Sequence, residues 1–75
     1  MEDREVHSFK KNARETVRFC LTEFKGYKLL DLRVYVQDDM GREVPTRKGL
    51  TISQELVGEL VKGLRKAIDL IDTDA

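Results

Sequence analysis

Cations and aromatic rings are interleaved along the middle of this chain. Phe24, Lys25, Tyr27 and Lys28 flank one glycine, Arg33 and Tyr35 stand two residues apart, and Arg47 and Lys48 are adjacent before another glycine in the stretch VPTRKGLTIS. Arg18 adds a cation upstream. Cations track phosphates, and exposed ring faces give unstacked bases a surface to rest on, at about 1–3 kcal/mol per base. This is the chemistry of single-stranded nucleic acid. Duplex recognition asks for other parts, such as a basic recognition helix, and the one helical stretch here is apolar on one side and mixed on the other. The plain alternative is a charged sheet face that is simply solvated, with Arg33 beside Asp31 as a surface pair and Phe24 as a core residue at a hairpin rim.

Catalysis has little to stand on. His7, the single histidine, lies among polar neighbours without a nearby nucleophile, and reads as a solvated side chain. Cys20 has no second thiol to pair with and no neighbouring ligand, so it reads as inert and suits a reducing compartment. No phosphate-cradling glycine loop is present, and no acid pair is spaced on one helical face in an apolar setting. The expectation is a protein that is not an enzyme, with no catalytic residue, no metal and no cofactor.

The formal net charge is zero, from 14 basic and 14 acidic residues. Net charge hides distribution, and distribution is what a polyanion senses. Residues 10–48 hold ten cations against six acids, so this middle segment carries +4 and the two ends compensate. No apolar run is long enough to span a membrane, and the start MEDREVHSF lacks the features of a signal peptide. A cytoplasmic, nucleoid-associated location without membrane contact follows as an expectation.

These side chains need elements to hold them. From Glu15 the pattern has period two, with Val17, Phe19 and Leu21 on one side and Arg18, Cys20 and Thr22 on the other, as in a half-buried strand. Gly26 supplies the positive φ of a tight hairpin. KLLDLRVYVQ then resumes the alternation, with Leu30, Leu32, Val34 and Val36 opposite Asp31, Arg33 and Tyr35. DDMG is a second turn and REVPTRKG a third strand, in which Pro45 marks an edge or a bulge. Gly49 is expected to turn the chain, leaving LTI as a short fourth strand.

Ser53 is a good N-cap for an amphipathic helix over roughly 54–71, with Leu56, Val57, Leu60, Val61, Leu64, Ala67, Ile68 and Ile71 at helical spacing. Gly58 and Gly63 suggest a bend or close packing against another backbone. Residues 1–14 read as a flexible polar arm and 15–72 as one domain. The fold class is α+β: a four-stranded antiparallel sheet with a helix packed on it. A chain of 75 residues without disulfide or metal buries little core, which favours dimerisation as reinforcement.

FKGYKLLDLRVYVQDDMGREVPTRKGLTIS resembles the core of the transcriptional coactivator family typified by positive cofactor 4, in its compact bacterial form. The resemblance rests on Phe-Lys-Gly, Asp-x-Arg-x-Tyr and Pro-x-Arg-Lys-Gly, and runs without gaps over about residues 15–70. It implies a homodimer in which each subunit contributes a curved four-stranded antiparallel β-sheet and one kinked C-terminal α-helix, and sequence-tolerant binding of single-stranded DNA. Carried over by position, Phe24 is similar to the family's stacking phenylalanine and Lys25 to its neighbouring phosphate contact. Arg33 is similar to the central arginine of the second strand, and Pro45, Arg47, Lys48 and Gly49 to the basic element. Arg18, Tyr27 and Lys28, outside that carry-over, are candidates for additional nucleic-acid contacts. Eukaryotic members have lysine, tryptophan and lysine where this chain has Tyr27, Val36 and Val44. The partners implied are single-stranded DNA, as oligomer or melted duplex, a second copy of the chain, and the transcription machinery. An RNA-binding protein and a protein-interaction module are the rival readings.

Overall fold

The computed structural model describes residues 3–74. Four strands form one antiparallel meander in chain order: β1 (Arg4–Lys10), β2 (Glu15–Phe24), β3 (Tyr27–Gln37) and β4 (Glu43–Ser53). A 3₁₀ turn (Gln54–Leu56) leads into helix α1 (Val57–Asp74). The expected α+β order of sheet then helix is the one observed.

The β2–β3 ladder carries the expected alternation without a slip, from Glu15 opposite Val36 to Phe24 opposite Tyr27. Since side chains alternate across a sheet, Val17, Phe19, Leu21, Leu30, Leu32, Val34 and Val36 share one face. Leu50 and Ile52 of β4 join them opposite Leu32 and Leu30. Arg18, Arg33 and Tyr35 share the other face.

The flexible arm expected over residues 1–14 is corrected. Met1 and Glu2 lie outside the described residues, and Arg4–Lys10 is a strand paired with β2. Its alternation is broken by a bulge at Val6: Glu5 pairs with Cys20, and His7 already pairs with Phe19. An extra residue flips the parity on either side of it, so Val6 and Phe9 do not read as one face. His7 is exposed, as expected, but it has ring neighbours. Its ring lies edge-on to Phe19 at 5.3 Å, with Phe9 6.0 Å away.

The expected division of the last strand is also corrected. β4 runs through Gly49 without turning. Between the pairs Arg33–Gly49 and Tyr35–Pro45 the ladder slips: β3 advances by two residues and β4 by four, so Thr46, Arg47 and Lys48 bulge out. Gly49 is needed for close approach. A Cβ there would collide with the Leu32 carbonyl oxygen and sit 2.9 Å from the Arg33 Cα.

Ser53 caps as expected, its hydroxyl accepting from the Glu55 amide at 3.2 Å. The helix, however, is not packed on its own sheet: it extends from the 3₁₀ turn without lying across the strands. Val61, Leu64, Ile68 and Ile71 are all exposed, and the space around Gly58 and Gly63 is open. Leu30 is the one buried apolar side chain among the described residues. The protomer is extended, with a radius of gyration of 14.5 Å where about 11 Å suits a compact chain of this length.

Candidate nucleic-acid interface

The tightest cluster of predicted site residues is the β2–β3 tip. Lys25 and Gly26 both have positive φ, 51° and 84°, the backbone of a two-residue turn whose twist matches the flanking strands. Phe24 and Tyr27 are directly opposed across it, and by register both project on the face of Arg18 and Arg33. They are 54% and 70% exposed. The Lys25 ammonium sits 5.3 Å from the Phe24 ring centre. Two open rings and a cation are thus held on a tight turn. Lys28, one residue on, falls on the opposite face.

Six residues along each strand, about 20 Å from the tip, lies a second group. Arg18 and Arg33 are cross-strand neighbours, a like-charge pairing that is destabilising unless each charge is answered. Arg18 reaches Glu43 through Nη2 and Glu5 through Nε, the latter at 3.2 Å, and its guanidinium lies 4.3 Å over the Tyr35 ring. Partial burial disfavours its charge, but the hydrogen bond and the two carboxylates outweigh it and raise its pKa. Glu43 is held below the usual carboxylate value, first by the Thr16 hydroxyl, which donates at 2.9 Å, and then by Arg18.

Arg33 is more fully engaged. Nε and Nη2 donate to Asp31 at 3.1 and 2.8 Å, Nη2 also to Thr51 Oγ1 at 3.3 Å, and Nη1 to the Thr46 carbonyl at 3.0 Å. These hydrogen bonds hold Asp31 below its ordinary pKa. Pro45 and Gly49 flank the bulge on the same face by register, opposite Tyr35 and Arg33.

The bulge separates the remaining cations from this row. Lys48 reaches the Glu15 carboxylate at 3.8 Å, and Glu15 belongs to the apolar side of β2. Glu15 itself is held below its ordinary pKa, first by the Asn12 amide at 2.7 Å. Arg47 is exposed, and among the described residues no acid lies within ion-pair distance of Arg47, Lys25 or Lys28. Phe24, Lys25, Tyr27, Arg18, Arg33, Pro45 and Gly49 therefore share a face, and Lys48 turns away from it. Of the acids that answer the arginines, Glu5 and Glu43 were not marked by the sequence, and Asp31 reads from sequence as a plain surface pair with Arg33. Only the i, i+2 spacing of Asp31 and Arg33 hinted at one of them.

The family model of the Transcriptional Coactivator p15 (PC4) matches residues 6–63. The chain belongs to the PC4 family. It is the family that the Asp31–Tyr35 and Pro45–Gly49 motifs resemble, and the match takes in every site residue named above. A PC4 homologue of Burkholderia pseudomallei, 30% identical, is similar in two crystal forms. In the tetragonal form the TM-score is 0.81, over 88% of this chain and 97% of that one. In the orthorhombic form it is 0.80, over 88% and 89%. A bacteriophage T5 homologue of the eukaryotic coactivator PC4, implicated in recombination-dependent DNA replication, is 23% identical with a TM-score of 0.64, over 99% of this chain and 81% of that one. That likeness is one of fold. No curated protein matches the chain. The PC4 match begins inside β1 and ends at Gly63, within α1, so the later turns of the helix lie beyond it.

Proposed function

We propose that this PC4-family chain binds single-stranded DNA with little sequence preference, as a homodimer, and holds melted DNA during transcription, replication or repair. The observation that carries the reading is the β2–β3 tip. Phe24 and Tyr27 are large rings left open on the polar face, with Lys25 between them in sequence and no acid in reach. Rings stack any base, and cations meet any phosphate, so the pairing is indifferent to sequence. Arg47 on the bulge adds a second unpaired cation. The family's description as a transcriptional coactivator supports a place beside the transcription machinery.

Surface area supports the homodimer. A compact protein of 8.7 kDa exposes about 4,700 Å², whereas this chain exposes 6313 Å². Removing an excess of about 1,600 Å² from each of two protomers lies within the range of obligate dimers. The apolar side of the sheet and the uncovered face of α1 supply that surface.

The test is a titration of labelled oligo-dT and an equal-length duplex at low and moderate salt. Oligo-dT should bind tighter, with affinity falling steeply as salt rises because phosphate neutralisation releases counterions. Equal or tighter binding to the duplex refutes the reading.

A further inference from the structure

Arg33 stands at the centre of the polar face, yet its donors are spent inside the protein. Asp31 takes Nε and one Nη2 hydrogen, Thr51 the other Nη2 hydrogen, and the Thr46 carbonyl one from Nη1. A guanidinium has five N–H donors, so one is left over. Thr51 in turn donates to Asp31 at 2.6 Å, which completes a closed ring of three side chains. The Arg33 side chain is 23% exposed.

What this ring grips is the β4 bulge. The Thr46 carbonyl held by Arg33 is one of the few fixed points there. The Thr46 hydroxyl supplies two more, donating to the Val34 carbonyl at 2.8 Å and accepting from the Lys48 amide at 3.1 Å. Gly49 closes over the guanidinium, with its missing Cβ only 3.2 Å from Arg33 Cζ. Arg47 and Lys48 thus ride on a segment whose backbone is fixed from beneath by Arg33.

We propose that Asp31 and Thr51, acting through Arg33, are positioning residues that set the β4 bulge and so aim Arg47 at phosphate, while Lys48 stays turned toward Glu15. The proposal rests on the single-stranded DNA reading for its functional consequence, and on the ring of hydrogen bonds for its structural one. It separates from a direct-contact role by the sign of one effect. Asp31→Asn removes a negative charge beside the polyanion, so simple electrostatics makes binding tighter. Positioning makes it weaker, because a neutral amide no longer locks the guanidinium fork.

Two measurements on Asp31→Asn and the near-isosteric Thr51→Val test it. Amide hydrogen exchange should quicken at residues 46–49, roughly tenfold for a locally loosened segment, while residues 24–27 stay unchanged. Oligo-dT affinity should drop roughly three- to thirtyfold, the coupling expected inside one hydrogen-bond network, and the drop should vanish when Arg47 is already alanine. Unchanged exchange at 46–49 in both variants overturns the positioning role, whether or not DNA binds. Equal or tighter binding by Asp31→Asn overturns its functional consequence. Failure of the wild-type chain to bind oligo-dT refutes the DNA reading instead, and the exchange data still decide the structural role.

Discussion

Replacing Ile68 with alanine should weaken the proposed dimer while slightly favouring the helix of an isolated protomer. Ile68 is 55% exposed on the fourth turn of α1, a helix that does not lie across the strands. Full burial of such a side chain is worth about 1.5–3 kcal/mol, so roughly half, about 1 kcal/mol, is still to be gained from a partner. A two-fold interface counts each substitution twice, giving about 2 kcal/mol per dimer, or roughly thirtyfold in dissociation constant. In a monomer the same change acts the other way, since alanine is the better helix former by a few tenths of a kcal/mol. The two pictures therefore predict opposite signs. Sedimentation equilibrium gives the dissociation constant directly, and the melting temperature of the wild type should rise with protein concentration. A dimer constant that is unchanged or tighter in Ile68→Ala, or a melting temperature indifferent to concentration, refutes the reasoning.

Phe24→Ala should cost about 1–3 kcal/mol of oligo-dT affinity and leave the salt slope unaltered, whereas Lys25→Ala should flatten the slope by roughly one unit with a smaller loss at low salt; fluorescence anisotropy across a salt series separates the two, and identical slopes in both variants would remove the tip from the interface. Gly49→Ala should destabilise the fold by about 1–3 kcal/mol or more in chemical denaturation, because its methyl group meets the Leu32 carbonyl and the Arg33 backbone; a neutral result would mean that β4 does not approach β3 this closely. Asp31 sits below its ordinary 3.8 chiefly through Arg33, and Glu43 below its ordinary 4.5 chiefly through Thr16. A depressed carboxylate contributes stability that is fully present above the unfolded pKa and lost as pH falls through the folded one. The denaturation midpoint should therefore be level above about pH 5 and fall toward about pH 2, less steeply in Glu43→Gln; an equally steep acid fall in that variant would exclude Glu43 as a source.

The alternation of β2 and β3 was legible because neither strand slips: every residue from Glu15 to Gln37 outside the tip keeps its parity, so apolar and polar faces could be separated by counting. The order of sheet and helix followed from the change of period after Ser53. β1 was not legible, because the bulge at Val6 puts His7 on the apolar side and scrambles a seven-residue pattern. Lys48 was grouped with the polar face as part of the basic Pro-x-Arg-Lys-Gly element, without regard to its parity in a continuous strand. Pro45 and Gly49 keep the polar face on either side of the bulge, so Lys48 has the opposite parity and reaches Glu15. The helix was legible as amphipathic but not as uncovered. Its hydrophobic stripe says that something must bury it, and says nothing about whether that surface belongs to the same chain. Arg33 was legible as important, though its i, i+2 acid reads from sequence as a solvated pair, when the structure ties both into β4.

The two bulges have a bearing on which assemblies can form at all. A sheet of four strands in meander order exposes the outer strands β1 and β4, and an unpaired strand edge is a template for adding further strands from other molecules. Here β1 is kinked at Val6, and β4 combines a slipped segment with Pro45, which has no amide hydrogen to offer. Neither border presents a long, straight row of donors and acceptors. Apolar surface remains on the broad side of the sheet and along α1, where contact with a second copy would cover it instead of propagating it. Lateral growth into fibres is thereby disfavoured at both borders, and a sparingly buried chain can stay at working concentrations as small closed particles.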